Sequence, residues 1–265
     1  MTSNLKDLNW RRTSRNTEIA TGTFEAHGEV LFKRGVLIDS SDLHLHVAAF
    51  EQLQDITAQI EGAISPSVIK ELCDTNIIAL QRFSSDSFHD VWCDENYPSE
   101  CVIQDIAVLY DWLDKFHLTT AKVTGGLPYS YGDFGPKNLL RCDQTNVAFI
   151  DPPISFIERE SCYDIGTLVF EIDRSLVQAN RPWLIFRHRH ILKRWVGLKP
   201  RNCSFKSCQH GVRSHVLAVA IRYATFFKKP NPFFQFLRAL FFIPCLLAYQ
   251  LIMSVHDAIN YQRKN

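Results

Sequence analysis

The most constraining feature of this chain is a set of three oxygen-bearing side chains at fixed spacing. Asp133 is followed by Asn138 five positions on and by Asp151 thirteen positions after that. Between them lie two short runs rich in apolar residues, Asn138–Leu140 and Val147–Ile150, separated by the polar stretch Asp143–Asn146. That pattern predicts a β-hairpin with a longer loop. Asp133 and Asn138 sit on the entry to the first strand and Asp151 ends the second, so hairpin geometry draws all three to one point. Magnesium takes hard oxygen ligands, a few from protein and the rest from phosphate and water. Asp and Asn also form turns by bonding nearby backbone N–H groups. The joint spacing therefore carries the reading, and no single residue does.

The segment resembles the catalytic stretch of the protein-kinase-like phosphotransferases, in which D-x-x-x-x-N precedes a hydrophobic strand and a metal-binding Asp. It is most similar to the aminoglycoside phosphotransferase and choline kinase branch. That branch writes His-Gly-Asp, then Asn, then Ile-Asp, then a further Asp at a helix start. Here the landmarks are Tyr131-Gly132-Asp133, Asn138, Ile150-Asp151 and Tyr163-Asp164-Ile165-Gly166. The resemblance implies a two-lobed α+β fold with a small antiparallel-sheet N-lobe and a larger, mainly helical C-lobe. It also implies ATP and Mg2+ as cofactors. Asp133 becomes the catalytic residue and Asn138 and Asp151 the metal ligands. Asp164 would hold the catalytic loop through backbone hydrogen bonds, and Tyr131 would keep a packing and hydrogen-bonding role in place of the usual His.

Asp133-Phe134-Gly135 also spells the metal motif of protein kinases. A catalytic Asp and Asn would then have to lie upstream, yet no Asn occurs between Asn96 and Asn138. The match is coincidental. The counterpart of that motif is Asp151-Pro152-Pro153, whose missing glycine suggests a fixed metal loop.

Upstream, Thr17–Phe24 and Glu29–Arg34 read as strands around a turn at His27-Gly28. By the resemblance, Lys33 is the phosphate-binding lysine, and Ser14 and Asn16 lie in a glycine-poor loop that covers the nucleotide. Leu43–Ile60 has helical periodicity, with Val47, Phe50, Leu53 and Ile56 apolar. Glu51 on that helix is the expected ion-pair partner of Lys33. Two further short apolar runs, Ser67–Leu72 and Asn76–Gln81, are expected to be the last strands of the lobe. Glu100–Phe116 is a strongly amphipathic helix, and Ile165–Leu176 another.

At 265 residues the chain can form one large domain or two lobes around a cleft. The expected division is a nucleotide-binding N-lobe over residues 1–84, a catalytic C-lobe over 85–230 and a hydrophobic segment over 231–265. The polar start predicts no secretory leader. The eight scattered cysteines fit reduced thiols, so a cytoplasmic protein is expected, peripheral at the inner face of a membrane. Cys203, Cys208, His210 and His215 have a spacing that fits no common structural zinc site.

A net charge of +1 conceals a strong polarity. Residues 1–173 hold 13 Lys or Arg against 27 Asp or Glu, whereas 174–256 hold 14 Lys or Arg and no acid. Such asymmetry points to an anionic partner, unless the basic half pairs with the acidic half. Residues 233–255 are the most apolar part, interrupted by Gln235, Arg238, Pro244 and Gln250. A contact with an anionic membrane surface is expected there rather than a span; a buried helix pair is the alternative. RNA binding ranks last because no clustered stacking motif accompanies the basic residues.

The expectation is an ATP-dependent phosphotransferase whose acceptor hydroxyl belongs to a small molecule or a membrane-linked sugar. The alternative is a membrane-associated pseudokinase scaffold, suggested by Tyr131, Pro152-Pro153 and the glycine-poor nucleotide loop.

Overall fold

The computed structural model describes residues 8–12, 17–35, 40–74, 76–143 and 146–198, together with Ala248 and Leu251. Ser14, Asn16, the cysteine–histidine cluster of 203–215 and, but for Ala248 and Leu251, the apolar run of 233–255 lie outside the described residues.

The chain opens with strands β1 (Arg11–Arg12), β2 (Thr17–Phe24) and β3 (Gly28–Gly35), then helix α1 (Ser40–Thr57), the short strand β4 (Ala63–Ile64) and strand β5 (Ile77–Gln81). β1, β2, β3 and β5 form an antiparallel sheet in that order. The β2–β3 turn places Gly28 at φ +68°, where a Cβ would be strained. Alternation along β3 then separates the two faces. Val30 and Phe32 are fully buried with Ala20, Ile77 and Ala79, and Leu8 and Trp10 pack against them. Lys33 lies opposite Ile78 and therefore on the other face, where Phe50 of α1 packs on Ile78 and Leu80.

The expectation of a strand at Ser67–Leu72 is not met. Residues 70–72 form a single 3-10 turn, and the segment before it meets β5 only at an isolated bridge between Val68 and Leu80, flanked by hydrogen bonds from the Ile69 N–H to the Ala79 carbonyl and from the Gln81 N–H to the Ser67 carbonyl, both at 2.9 Å. Lys70 and Glu71 break the apolar run where a buried strand would have needed hydrophobes on both sides.

The larger lobe begins with α2 (Phe88–Cys93) and α3 (Ser99–Thr124). On α3, Val102, Ile106, Leu109, Tyr110, Leu113, Phe116, His117 and Thr120 form one buried stripe at helical spacing. The helix runs two turns past the expected Phe116 and stops at Gly125, which takes φ +72° as a left-handed cap. Strands β6 (Tyr129–Ser130), β7 (Leu139–Arg141), β8 (Val147–Phe149) and β9 (Ile157–Glu158) follow, then helices α4 (Cys162–Gln178) and α5 (Leu184–Leu198).

Helix α1 belongs to both lobes. Phe50 packs on the sheet, while Leu53, Ile56 and Ile60, just past its end, join the core of the larger lobe with Phe88, Phe116 and Phe149. Just beyond the helix, β4 pairs in parallel with β8, and the Val147 N–H donates to the Gly62 carbonyl at 3.0 Å. The packing between lobes thus rests on a few large side chains. Leu53→Ala should cost about 2–5 kcal/mol because it opens a cavity at a fully buried position. Leu45→Ala on the same helix, where Leu45 is 51% exposed, should change stability by less than about 0.5 kcal/mol. Urea denaturation of the two variants measures the difference.

Candidate active site

Two loops face each other between two small ladders. Residues 131–138 run from β6 to β7, and residues 150–156 run from β8 to β9. At one end Leu139 pairs with Phe149; at the other Ser130 pairs with Ile157. Both loops are therefore held at both ends, and they also bond to each other. The Ile150 N–H donates to the Asn138 carbonyl at 3.0 Å, and the Tyr131 hydroxyl donates to the Ile150 carbonyl. This double anchoring brings Asp133, Asn138 and Asp151 into one neighbourhood.

Local sequence explains the loop path. Gly132 has φ +77°, which a side chain would strain. The Asp133 N–H donates to the Tyr131 carbonyl at 2.9 Å, which turns the chain and leaves the Asp133 side chain exposed. Phe134 plunges in the opposite direction and is fully buried beside Tyr131, their rings 5.5 Å apart and edge to face. Phe134 thus acts as an anchor beneath an exposed carboxylate, which accounts for the Asp133-Phe134-Gly135 spelling without a metal role. Gly135 lies under α4, where a Cβ would come within 3.0 Å of the Glu171 Cβ.

The Asn138 amide nitrogen donates to the Asp133 carbonyl at 2.9 Å, so the Oδ1 of the same amide is not used in that bond. Asp151 adopts φ +59°, a left-handed conformation that Asp tolerates better than most residues. Its carboxylate is 49% exposed and forms an ion pair with Lys33, which reaches across from the sheet. The expected Lys33–Glu51 pair is corrected by the structure. Glu51 pairs instead with Lys70, because the chain after α1 returns past its outer side. Lys33 and Asp151 link the two lobes directly.

Beneath the loop, Asp164 is almost fully buried at the start of α4. Its carboxylate accepts from the Ser130 hydroxyl at 2.7 Å, the Tyr131 N–H at 2.8 Å, the Gly132 N–H at 3.0 Å and His117 Nε2 at 3.0 Å. Burial alone would raise its pKa, but the His117 contact, the Ser130 hydroxyl and the Gly132 N–H together hold it below the ordinary value. His117 and Ser130 are site residues that the sequence reading missed. The signal for His117 was its place four residues after Leu113 on the buried stripe of α3. Ser130 carried no such signal. Tyr131 is fully buried, and its phenol is pushed well above the ordinary value by burial and by Asp151, Asp133 and Asp164 around it.

The residues fit magnesium in kind. Among the described residues no group of three His, Cys, Asp or Glu could form an all-protein cage. Asn138 Oδ1 and the Asp151 carboxylate instead supply two hard oxygen donors, the number typical when substrate phosphates and water complete the octahedron.

A small antiparallel-sheet lobe and a larger, mainly helical lobe, with these two loops beside the strand that carries Lys33, make a two-lobed α+β fold that is shared with a solved phosphotransferase. The crystal structure of the macrolide 2'-phosphotransferase MphH from Brachybacterium faecium, as apoenzyme, matches over 88% of this chain and 90% of its own, with a TM-score of 0.53 and 11% identity. At that identity the likeness speaks for the fold and leaves the substrate open. The kinase domain of Mycobacterium tuberculosis PknI matches 70% of this chain and 84% of its own, with a TM-score of 0.44 and 13% identity, too loose a likeness to bear on the chemistry. No protein-family model matches the chain, and no curated protein matches it.

The Asp164 cluster generates a test of loop support. Asp164→Asn removes a buried charge from its partners and should cost roughly 3–5 kcal/mol, read as an early thermal transition. The Asp164 pKa is depressed in the fold, so its contribution is complete above the unfolded value of about 3.9 and is lost as pH falls through the folded value. The gap between wild type and variant should therefore persist on acidification to about pH 4 and narrow only in stronger acid. A gap that closed near neutrality would show that Asp164 is not the charged anchor.

Proposed function

We propose that this protein is an ATP-dependent phosphotransferase that acts on a hydroxyl acceptor, either a small molecule or a membrane-linked sugar. The observation that carries the reading is the convergence of Asp133, Asn138 and Asp151 on two mutually bonded loops, with Lys33 brought to Asp151 from the other lobe. A phosphoryl-transfer site needs positioning and charge neutralisation more than covalent help, and these residues offer both.

Each side chain has a role that its surroundings allow. Asp133 is exposed on a buried base, so its carboxylate can orient an acceptor hydroxyl and accept its proton. Asn138 and Asp151 would hold magnesium, which when bound neutralises charge on the phosphate oxygens. Lys33 exchanges its ion pair with Asp151 for phosphate oxygens of the nucleotide. Ser14 and Asn16 are assigned to the nucleotide-covering loop by resemblance alone. Localisation at the inner face of a membrane, with an anionic surface as partner, belongs to the same proposal and draws on the basic, acid-free stretch of residues 174–256.

One observation favours the scaffold alternative. The pair that would steer Lys33 from α1 is not made, since Glu51 is engaged by Lys70. A protein that bound nucleotide weakly and transferred nothing could look the same.

Two measurements separate these readings. The first is thermal: ATP should raise the melting temperature only when a divalent ion is present, by ligand linkage. Equal stabilisation without metal, or none with it, argues against Asn138 and Asp151 as ligands. The second is kinetic. With candidate hydroxyl acceptors, Asp133→Asn should lower phosphoryl transfer by about a hundred- to ten-thousand-fold, the usual contribution of a general base, with nucleotide binding little changed. Asp151→Asn should weaken magnesium–nucleotide binding as well as turnover. Near-normal transfer by the Asp133 variant sinks the enzymatic assignment, and absence of any transfer by the wild type leaves the scaffold.

A further inference from the structure

Helix α5 buries one side and exposes another of unusual composition. Leu184, His188, Arg189, Leu192 and Trp195 face inward, where His188 and Arg189 both bond the buried Asp173, at 2.6 and 2.8 Å. Outward lie Phe186, Arg187, His190 and Arg194, with Trp183 immediately before the first turn. Trp183 is 59% exposed and Phe186 49%. Val177, at the end of α4, is 54% exposed. The connection between these helices is tight. The Asn180 N–H donates to Val177 at 3.1 Å, the Arg181 N–H to Leu176 at 2.8 Å and the Leu184 N–H to Arg181 at 3.1 Å. Val177 and Trp183 therefore belong to one rigid corner, and Phe186 follows within a turn of helix.

The charges on this face narrow the choice of partner. Helix α5 contains no acidic residue. Arg187 is already committed to Glu100 by a two-armed contact at 2.7 Å on each arm, and Arg189 is buried. Arg194 and His190 remain among the exposed basic side chains. A nucleic acid draws its affinity from many phosphate contacts, more than this face presents. A lipid interface needs something different: bulky side chains that enter the headgroup boundary, Trp especially, and a few cations that attract anionic headgroups from above it. We propose that the corner formed by Val177, Trp183 and Phe186, with Arg194 on the same outer face of α5, docks on the surface of an anionic phospholipid bilayer. The proposal rests on the anionic-membrane localisation proposed above, which draws on residues 174–256, and gives that contact a specific place outside the apolar run of 233–255. The inference stands whether or not the acceptor is membrane-linked.

The test is co-sedimentation of the full chain with phosphatidylcholine vesicles, with and without phosphatidylglycerol, at low and high salt. Wild type should partition more strongly onto the anionic vesicles, and salt should weaken that preference. The pair Trp183→Ala and Phe186→Ala should lower partitioning by about tenfold or more, from the apolar area lost to the interface. Arg194→Glu should lower it by about fivefold or more. All these side chains are exposed, so the wild-type melting temperature should be kept, and Arg194→Glu decides the matter alone if the aromatic variant folds poorly. Unchanged binding by these variants would assign any membrane contact to another part of the chain and overturn the proposal. So would indifference to vesicles, or tighter retention on single-stranded RNA than on anionic lipid.

Discussion

The arrangement in the cleft depends on one buried carboxylate. Asp164 takes hydrogen bonds from two successive backbone N–H groups, Tyr131 and Gly132, and from the side chains of Ser130 and His117. An ionised carboxylate out of water is tolerable only when its lone pairs are met this way. The requirement runs in both directions. The loop gains a fixed path because the carboxylate must be satisfied, and the carboxylate stays charged because the loop offers N–H groups. Asp133 inherits its position two residues later from a path it does nothing to define.

Helix α1 is the second constraint. It carries Phe50 on the sheet and Leu53 and Ile56 in the other core, and the chain after it joins the β7–β8 hairpin as the parallel strand β4. The strand that carries Lys33 and the hairpin that ends at Asp151 are thus tied through packing as well as through their own ion pair. An exposed ion pair contributes little on its own. The apolar contacts of α1 therefore carry most of the adhesion between lobes, and the Lys33–Asp151 contact is left available for exchange with other charges.

Much of this was legible in the sequence, for reasons that particular residues make plain. The strands at Thr17–Phe24 and Gly28–Gly35 were readable because alternation about a glycine turn is a local signal. The β7–β8 hairpin was readable because Asn138–Leu140 and Val147–Ile150 bracket a polar turn, and the ladder forms between Leu139–Arg141 and Val147–Phe149. The 3-10 turn at residues 70–72 was not, since a short apolar run looks the same as a strand until its neighbours are known. The partners of Lys33 and Glu51 were also out of reach. Choosing between Asp151, Glu51 and Lys70 as partners depends on where the chain returns in space, and spacing along the sequence holds no such information. His117 was half legible, on the right stripe but past the point where the helix was expected to end.

The departures from the motif that the sequence resembles make physical sense together. Tyr131 reaches further than a histidine would, and its hydroxyl meets the carbonyl of Ile150, the residue just before Asp151. Its ring is packed among Phe116, Phe134, Phe149 and Phe156. Burial and three nearby carboxylates keep the phenol protonated, so it remains a donor. On the far side of Asp151, Pro152 and Pro153 each fix one φ and supply no N–H. Asp151 therefore sits between a carbonyl pinned by a buried phenol and two residues that cannot rotate freely. A loop that must swing between states needs glycine or an unpinned backbone at such a point. Here the freedom was removed at both neighbours, and the left-handed Asp151 is held where its carboxylate faces Lys33. If this site is regulated, the control must come from outside this loop.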